Sequence, residues 1–278
     1  MDPDAPLITI TTDFGTEDAY VPSMKGTMLS ICPGARMVDV THEISPQDVM
    51  EAAFVLRATV PYFPDGSVHL VVVDPGVGTD RRAVALRHNN QWFVGADNGL
   101  FPLALNATPE AAVALDNPDR WRTPSPSSTF HGRDIFAPAA AHLAAGAPLD
   151  ALGAPVDTLE SLHWARPSVD DGTVQGWVVH VDHFGNCITN IRRSHLADTV
   201  GQDADAPLAE SLRSVKGYAG SRIVQQFGST YGTVPEGEPL LLIGSTDFLE
   251  IAVRGGSAAD LLDIRKGDSV KLTIEDAS

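Results

Sequence analysis

The segment VVDPGVGTDRR at 72–82 ends a hydrophobic run on a carboxylate, Asp74, and delivers two guanidinium groups, Arg81 and Arg82, a few residues later. Between them lies Pro75-Gly76-Val77-Gly78, a turn whose glycines let the chain reverse sharply and let a ligand approach the backbone. Two readings compete: a tight turn closed by a surface ion pair, or half of an active site in which a carboxylate works beside a fixed positive charge. Similar polar groups follow other apolar runs. Thr11-Thr12-Asp13 and Thr41-His42-Glu43 end two of them, and FHGRD at 130–134 puts His131 just ahead of an alanine-rich stretch. DHFGNCITNI at 182–191 sets Asp182, Asn186 and Asn190 around Phe184-Gly185. A ring that stacks and an amide that both donates and accepts suit a flat heteroaromatic ligand; a hairpin closed by its Asx side chains is the competing reading. GSTDFLEIAVRGGSA at 244–258 offers a polar turn, then a Gly-rich one, with Glu250 inside an otherwise apolar strand, where a side chain facing solvent is the plain explanation.

Two common cofactor signatures are missing. DPGVGT is not followed by the GK[ST] of a phosphate-cradling loop, and no GxGxxG follows the first strand. Among His42, His69, His131, His180 and His183, only the H-x-x-H of His180 and His183 has any ligand-like spacing, so no metal is expected. Cys32 and Cys187 are too few and too far apart for a redox or metal motif and read as reduced packing residues.

The elements that must position these groups alternate in the first half. LITITTDFG at 7–15 reads as a buried strand ending in a turn, 18–32 as a helix, 37–41 as a second strand. The stretch 45–63 reads as a helix capped by Ser45 with Pro46 in its first turn, and 67–74 as a strand covered on both faces. The strand–helix alternation predicts an α/β fold, with a Rossmann-like N-terminal domain around a central, mostly parallel sheet. A hairpin around Asn89-Asn90 and a helix over 131–146 complete it. Pro, Asp and Gly dominate 147–172, which reads as a linker. Short strands at 176–182, 187–191, 221–227, 238–245, 248–253 and 269–274, with a helical turn at 258–262, predict a C-terminal all-β, barrel-like domain. The expected domains are therefore 1–165 and 172–278. In open α/β sheets ligands bind beyond the carboxyl ends of the strands, where Asp13, His42 and Asp74 would converge.

With 278 residues, 43% of them apolar, the chain can bury a substantial core. A net charge of −17 argues against nucleic acid or an acidic membrane as partner. No stretch is long and apolar enough to span a bilayer, and the acidic start MDPDAPLITI is unlike a signal peptide, so a cytoplasmic location is expected.

Seven motifs in order carry a resemblance: TTDFGTEDAYV, SPQDV, VVVDPGVGT-x-RR, ADNG, FHGRDIFAPAAAHLA, D-x-FGN-x-x-TNI and GS-x-x-x-LEIAV-x-x-GSAA. Together they span nearly the whole chain and resemble the S-adenosylmethionine (SAM) hydrolases that form adenosine, also described as SAM hydroxide adenosyltransferases. Fluorinating and chlorinating enzymes are their relatives. The resemblance implies an N-terminal α/β domain, a C-terminal barrel-like domain, and a homotrimer holding substrate between neighbouring subunits. It implies SAM as substrate rather than cofactor, adenosine and L-methionine as products, and water-handling roles for Asp74, Arg81 and His131. It also implies that Asp13 receives the ribose diol and that Asp18 and Asp182 lie near the methionine ammonium. Ser245 would meet the methionine end; Phe184, Asn186 and the backbone near Val253 would meet adenine, with Glu250 in the same strand. Arg82 reads as a structural charge. A SAM-dependent halogenase, a SAM- or adenosine-binding sensor and a metal-dependent nucleotide hydrolase are the alternatives.

Overall fold

The computed structural model describes residues 5–162, 165–170, 172–199, 201, 212, 215–220 and 222–274. The chain divides into two compact units, Met1–Leu162 and His163–Ser278. In the first, β1 (Leu7–Thr12), α1 (Tyr20–Ile31), β2 (Arg36–Thr41), α2 (Val49–Thr59) and β3 (Val68–Val72) alternate as their periodicity predicts. Every residue of β3 and all but the first of β1 are buried, because helices cover the sheet on both faces. Met24 and Met28 of α1 join Ile8, Ile10 and Leu70 in one core, which α4 (Ala137–Ala144) completes. Ala52, Ala53 and Leu56 of α2 pack with Val71, Phe93 and Phe101 in the other, under α3 (Leu100–Leu105).

Among the described residues the sheet order is β2-β1-β3-β5-β4-β6. β2, β1, β3 and β5 (Gln91–Ala96) run parallel, whereas β4 (Ala83–His88) is antiparallel to β5 and to β6 (Ala111–Ala114). The 83–96 hairpin turns at Asn89-Asn90, with φ of 48° and 58°, the left-handed pair of a type I′ turn that asparagine tolerates. α3 and β6 escape a periodicity reading because they are only six and four residues long.

Several boundaries differ from expectation. α2 is capped by Asp48, not Ser45: the Asp48 side chain accepts the Glu51 N–H, and the chain before it is bent away from helix. β3 stops at Val72, so Asp74 stands beyond the strand end. The 131–146 helix opens with a π-helical turn, Gly132–Phe136, before α4 begins. Residues 147–162 are not a free linker. Leu152 is buried, and Ala114 N–H donates to the Ala154 carbonyl at 2.8 Å.

The second unit is antiparallel. Its strands are β7 (Ser168–Asp170), β8 (Thr173–Val181), β9 (Cys187–Arg192), β10 (Val215–Ala219), β11 (Arg222–Val224), β12 (Pro239–Ile243), β13 (Phe248–Val253) and β14 (Ser269–Ile274). Among the described residues they form an eight-stranded sheet, β11-β10-β14-β8-β9-β13-β12, with β7 beside β8. A bridge between Phe227 and Leu241 brings the chain after β11 alongside β12, so the sheet nearly closes into a barrel. Among the described residues the unit also has two short α-helices, α5 (Arg193–Thr199) and α6 (Ala258–Leu262), and the Ser257 side chain caps α6 by accepting the Asp260 N–H. β7, α5 and β10 were not anticipated; Ser221, the first residue of the expected 221–227 strand, and the acidic residues 1–4 lie outside the described residues. No helix among the described residues is long and apolar enough to cross a membrane.

His69 sits in the middle of β3, fully buried, its Nδ1 2.8 Å from the Thr9 hydroxyl and its ring stacked on Phe93 at 5.0 Å. Burial disfavours the charged ring and pushes its pKa down from 6.5 to about 4. Between those values the unfolded chain binds a proton that the folded chain does not. This contribution is therefore complete above pH 6.5 and is lost as pH falls toward 4, by on the order of 3 kcal/mol. His69→Gln should flatten the acid-side decline of unfolding free energy relative to the parent, measured by urea unfolding across that pH window.

Candidate active site

The turn after β3 is built to fold Arg81 back onto Asp74. Val77 N–H donates to the Asp74 carbonyl at 3.3 Å and Thr79 N–H to the Gly76 carbonyl at 3.1 Å. A Cβ on Gly76 would stand 2.9 Å from Arg81 Cγ, so glycine leaves the room in which the arginine stem lies across the turn. Arg81 Nε donates to Asp74 Oδ1 at 2.8 Å and Nη2 donates to Oδ2, a bidentate fork. The same Nη2 reaches His131 Nδ1 at 2.9 Å. A guanidinium has only donors. His131 Nδ1 must therefore hold a lone pair, which leaves the ring neutral with its proton on Nε2. Burial, and then the Arg81 charge, push the His131 pKa below its ordinary value, against the opposing pull of Asp74 and Asp134. The Arg81 and Asp74 side chains are only 10% and 7% exposed, so water screens their attraction weakly. The Phe136 ring lies 5.2 Å from the guanidinium carbon.

His131 is supplied by the π-helical turn, and Asp134 holds that turn in place. The carboxylate is fully buried and accepts from Arg122 Nε at 2.5 Å, Arg133 Nε at 2.7 Å, Arg133 Nη2 at 2.8 Å and the Ser127 N–H at 2.9 Å. Burial alone would raise its pKa, but the hydrogen bonds from Arg133, Arg122 and Ser127 outweigh it and hold the group well below the carboxylate range. These bonds draw the Ser/Pro-rich loop onto the turn. Gly132 lets the turn press against its neighbours, since a Cβ there would lie 3.0 Å from Met24 Sδ and 3.2 Å from a Val72 methyl. Sequence reasoning singled out His131 and passed over Asp134, three residues on in the same FHGRD motif; a carboxylate directly after Arg133 was the available signal.

Asp74 and His131 line a cleft of about 240 Å³ together with Asp13, Phe14, Gln47 and Phe130. Asp13 Oδ2 accepts the Gln47 N–H at 2.7 Å. Burial, and to a smaller degree the Asp74 charge, push the Asp13 pKa up, while the Gln47 N–H opposes them. Phe14, Tyr20 and Phe130 form an aromatic trio with centroids 5.2–5.9 Å apart. Asp18 is exposed in the loop before α1. His42 serves the same loop from beneath: it is buried, its Nδ1 lies 2.9 Å from the Thr12 hydroxyl, and its carbonyl accepts the Gly15 N–H at 2.8 Å. Arg82 takes the structural part expected of it, donating to buried Asp97 at 2.9 Å and to the Thr158 carbonyl at 2.7 Å.

In the second unit Asp182, Phe184 and Asn186 share the β8–β9 turn. Asp182 Oδ1 accepts the Phe184 and Asn186 N–H groups, each at 2.9 Å, and Oδ2 accepts Asn186 Nδ2 at 2.9 Å. The carboxylate thus closes its own turn and leaves the Phe184 ring 75% exposed. Asn190 is structural, accepting the Trp177 N–H at 2.8 Å and donating to the Ala165 carbonyl at 2.9 Å. Glu250 does not face solvent. It is 6% exposed, accepts the Tyr231 hydroxyl at 2.9 Å, and occupies the space that a side chain at Gly244 would need. Burial raises its pKa, with Asp182 adding to the rise and Tyr231 opposing it; the Tyr231 hydroxyl is pushed up to about 12 by burial and by Glu250. Val253 is buried at the end of β13 beside this turn, whereas Ser245 is exposed in the turn before β13. Among the described residues no group of three His, Cys, Asp or Glu side chains could hold a metal ion.

Family models for the N-terminal and C-terminal domains of SAM hydroxide adenosyltransferase match residues 8–153 and 176–271. The chain is 42% identical over 272 residues to a protein of Salinispora arenicola named (R)-S-adenosyl-L-methionine hydrolase, covering 96% of this chain and 98% of that one. A crystal structure of an uncharacterized conserved protein from Thermotoga maritima superposes with a TM-score of 0.85 at 36% identity, over 96% of this chain and 99% of the other. A protein of an Actinoplanes species named fluorinase is 30% identical over 295 residues, covering 96% of this chain and 97% of its own length. The chain belongs to the SAM hydroxide adenosyltransferase family.

Asp134→Asn keeps the shape of the side chain but removes the charge that two arginines share. It should cost roughly 2–4 kcal/mol of unfolding free energy in urea titrations. Asp119→Asn, on the exposed short helical turn 118–120, should change stability by less than about 0.5 kcal/mol.

Proposed function

We propose that this member of the family hydrolyses S-adenosylmethionine to adenosine and L-methionine, with water as the nucleophile at the ribose 5′ carbon. The observation that carries the reading is the Asp74–Arg81–His131 network on the wall of a cleft that also holds Asp13. In the displacement the water oxygen bonds to C5′ while the C–S electron pair stays on sulfur. Methionine leaves as a neutral thioether, so no acid is needed at the leaving group. The demand falls on the nucleophile, which must be aligned opposite the C–S bond and relieved of a proton.

The hydrogen bonding divides that work. The one lone pair of the neutral His131 ring faces Arg81, so its Nε2–H is a donor to the water oxygen and the ring is not the base. Asp74 accepts the proton; its carboxylate has lone pairs beyond the two that the Arg81 fork uses. Arg81 is permanently charged and stabilises hydroxide-like character on the oxygen. Asp13 receives the ribose diol. Asp182, Phe184, Asn186 and Val253 bind the adenine and amino-acid ends, with Ser245 and Asp18 toward the methionine and Glu250 supporting β13. The family resemblance supports a homotrimer, checked by a solution mass of three chains. The name of the Salinispora relative supports activity on the (R)-epimer at sulfur.

The test is turnover of each sulfonium epimer in ¹⁸O-water, with and without halide. We expect ¹⁸O in the adenosine 5′-hydroxyl, and kcat lower by about 10²–10⁴-fold in Asp74→Asn and His131→Ala with little change in KM. Protonating His131 Nδ1 would expel Arg81, so activity should hold above pH 6.5 and fall below it, through the depressed His131 pKa. Bound but intact SAM, or a 5′-halogenated nucleoside as the product, would contradict the reading.

A further inference from the structure

Gln47 holds a backbone conformation that its residue type does not favour. Its φ is +65°, in the left-handed region that residues other than Gly, Asn and Asp seldom enter. The helix that follows does not demand this, because Ser45-Pro46 suits a helix start and α2 nevertheless waits for its Asp48 cap. The bend is bound on several sides: Ile44 N–H donates to the Thr12 carbonyl at 3.4 Å, Ser45 N–H to Glu51 Oε2 at 3.1 Å, and Asp48 N–H to the Ser45 carbonyl at 3.0 Å. Its result is that the Gln47 N–H points into the cleft and donates to Asp13 Oδ2 at 2.7 Å. An unfavourable conformation that the surroundings over-determine, at the wall of a binding cleft, points to function.

We propose that the left-handed backbone at Gln47 is a positioning device, whose N–H clamps Asp13 Oδ2 so that Oδ1 is presented to the vicinal hydroxyls of a ribose. This rests on the reading that Asp13 receives the ribose diol. The N–H and the φ angle carry the effect, and the side-chain amide does not. Residue types that tolerate a left-handed φ should therefore preserve it, and β-branched types should not.

The experiment measures binding of adenosine and of 2′,3′-dideoxyadenosine by calorimetry to the full chain and to Gln47→Val, Gln47→Gly and Asp13→Ala, with SAM turnover assayed alongside. Gln47→Val should weaken adenosine by roughly 10-fold or more, the scale of one misplaced charge-assisted hydrogen bond, and leave the dideoxy ligand within about 3-fold of the parent. Gln47→Gly, with no side chain, should rescue adenosine binding to within about 3-fold. Equal losses in Gln47→Val and Gln47→Gly would make the side chain the contact and overturn the inference. Equal weakening of both ligands by Gln47→Val would reduce the turn to a structural part and also overturn it. Failure of the hydrolase reading looks different: SAM is not turned over by the parent while the contrast between the two nucleosides persists.

Discussion

One guanidinium shared by a carboxylate and an imidazole holds the candidate site of this fold together. Arg81 offers donors only, and it spends them on both oxygens of Asp74 and on Nδ1 of His131. That arrangement dictates the tautomer of its neighbour: His131 holds a lone pair at Nδ1 and stays neutral with a donor at Nε2. Because the pair is largely removed from water, the attraction between Arg81 and Asp74 is only weakly screened and holds the geometry of the turn.

The rest of the first unit brings these three side chains together from places 7 and 50 residues apart. Asp74 and Asp13 emerge from adjacent parallel strands, so the sheet sets their separation before any side chain packs. Gly76 gives Arg81 its return path, and Asp134 ties the Ser/Pro-rich loop to the π-helical turn that carries His131. Buried charge at Asp134 is tolerated because two arginines and a backbone N–H satisfy it. The second unit follows the same logic more locally, with Asp182 satisfying its own turn so that Phe184 can stand exposed beside a buried Asn186.

The α/β and barrel-like units were legible because their longer elements carry clear periodicity; Asp74, Arg81 and His131 stood out singly as candidates in their motifs, and only the family resemblance grouped them as a set. What escaped had physical reasons. α3, β6 and β7 are too short to show a period. The helix start at Ser45 follows local preference, and tertiary bonds to Thr12, Asp13 and Glu51 override it. Glu250 looked solvent-facing because strand alternation says nothing about a glycine opposite and a tyrosine hydroxyl within reach. The link from Arg81 to His131 spans 50 residues and has no local trace in the sequence.

The ¹⁵N chemical shifts of the His131 imidazole at pH 7, in selectively labelled protein, test the central claim most directly. A neutral ring with a protonated Nε2 and a lone pair at Nδ1 is the result that the shared guanidinium requires. An imidazolium, or a ring protonated at Nδ1, would mean that Arg81 does not bridge the two groups, and the division of labour between Asp74 and His131 would fall with it.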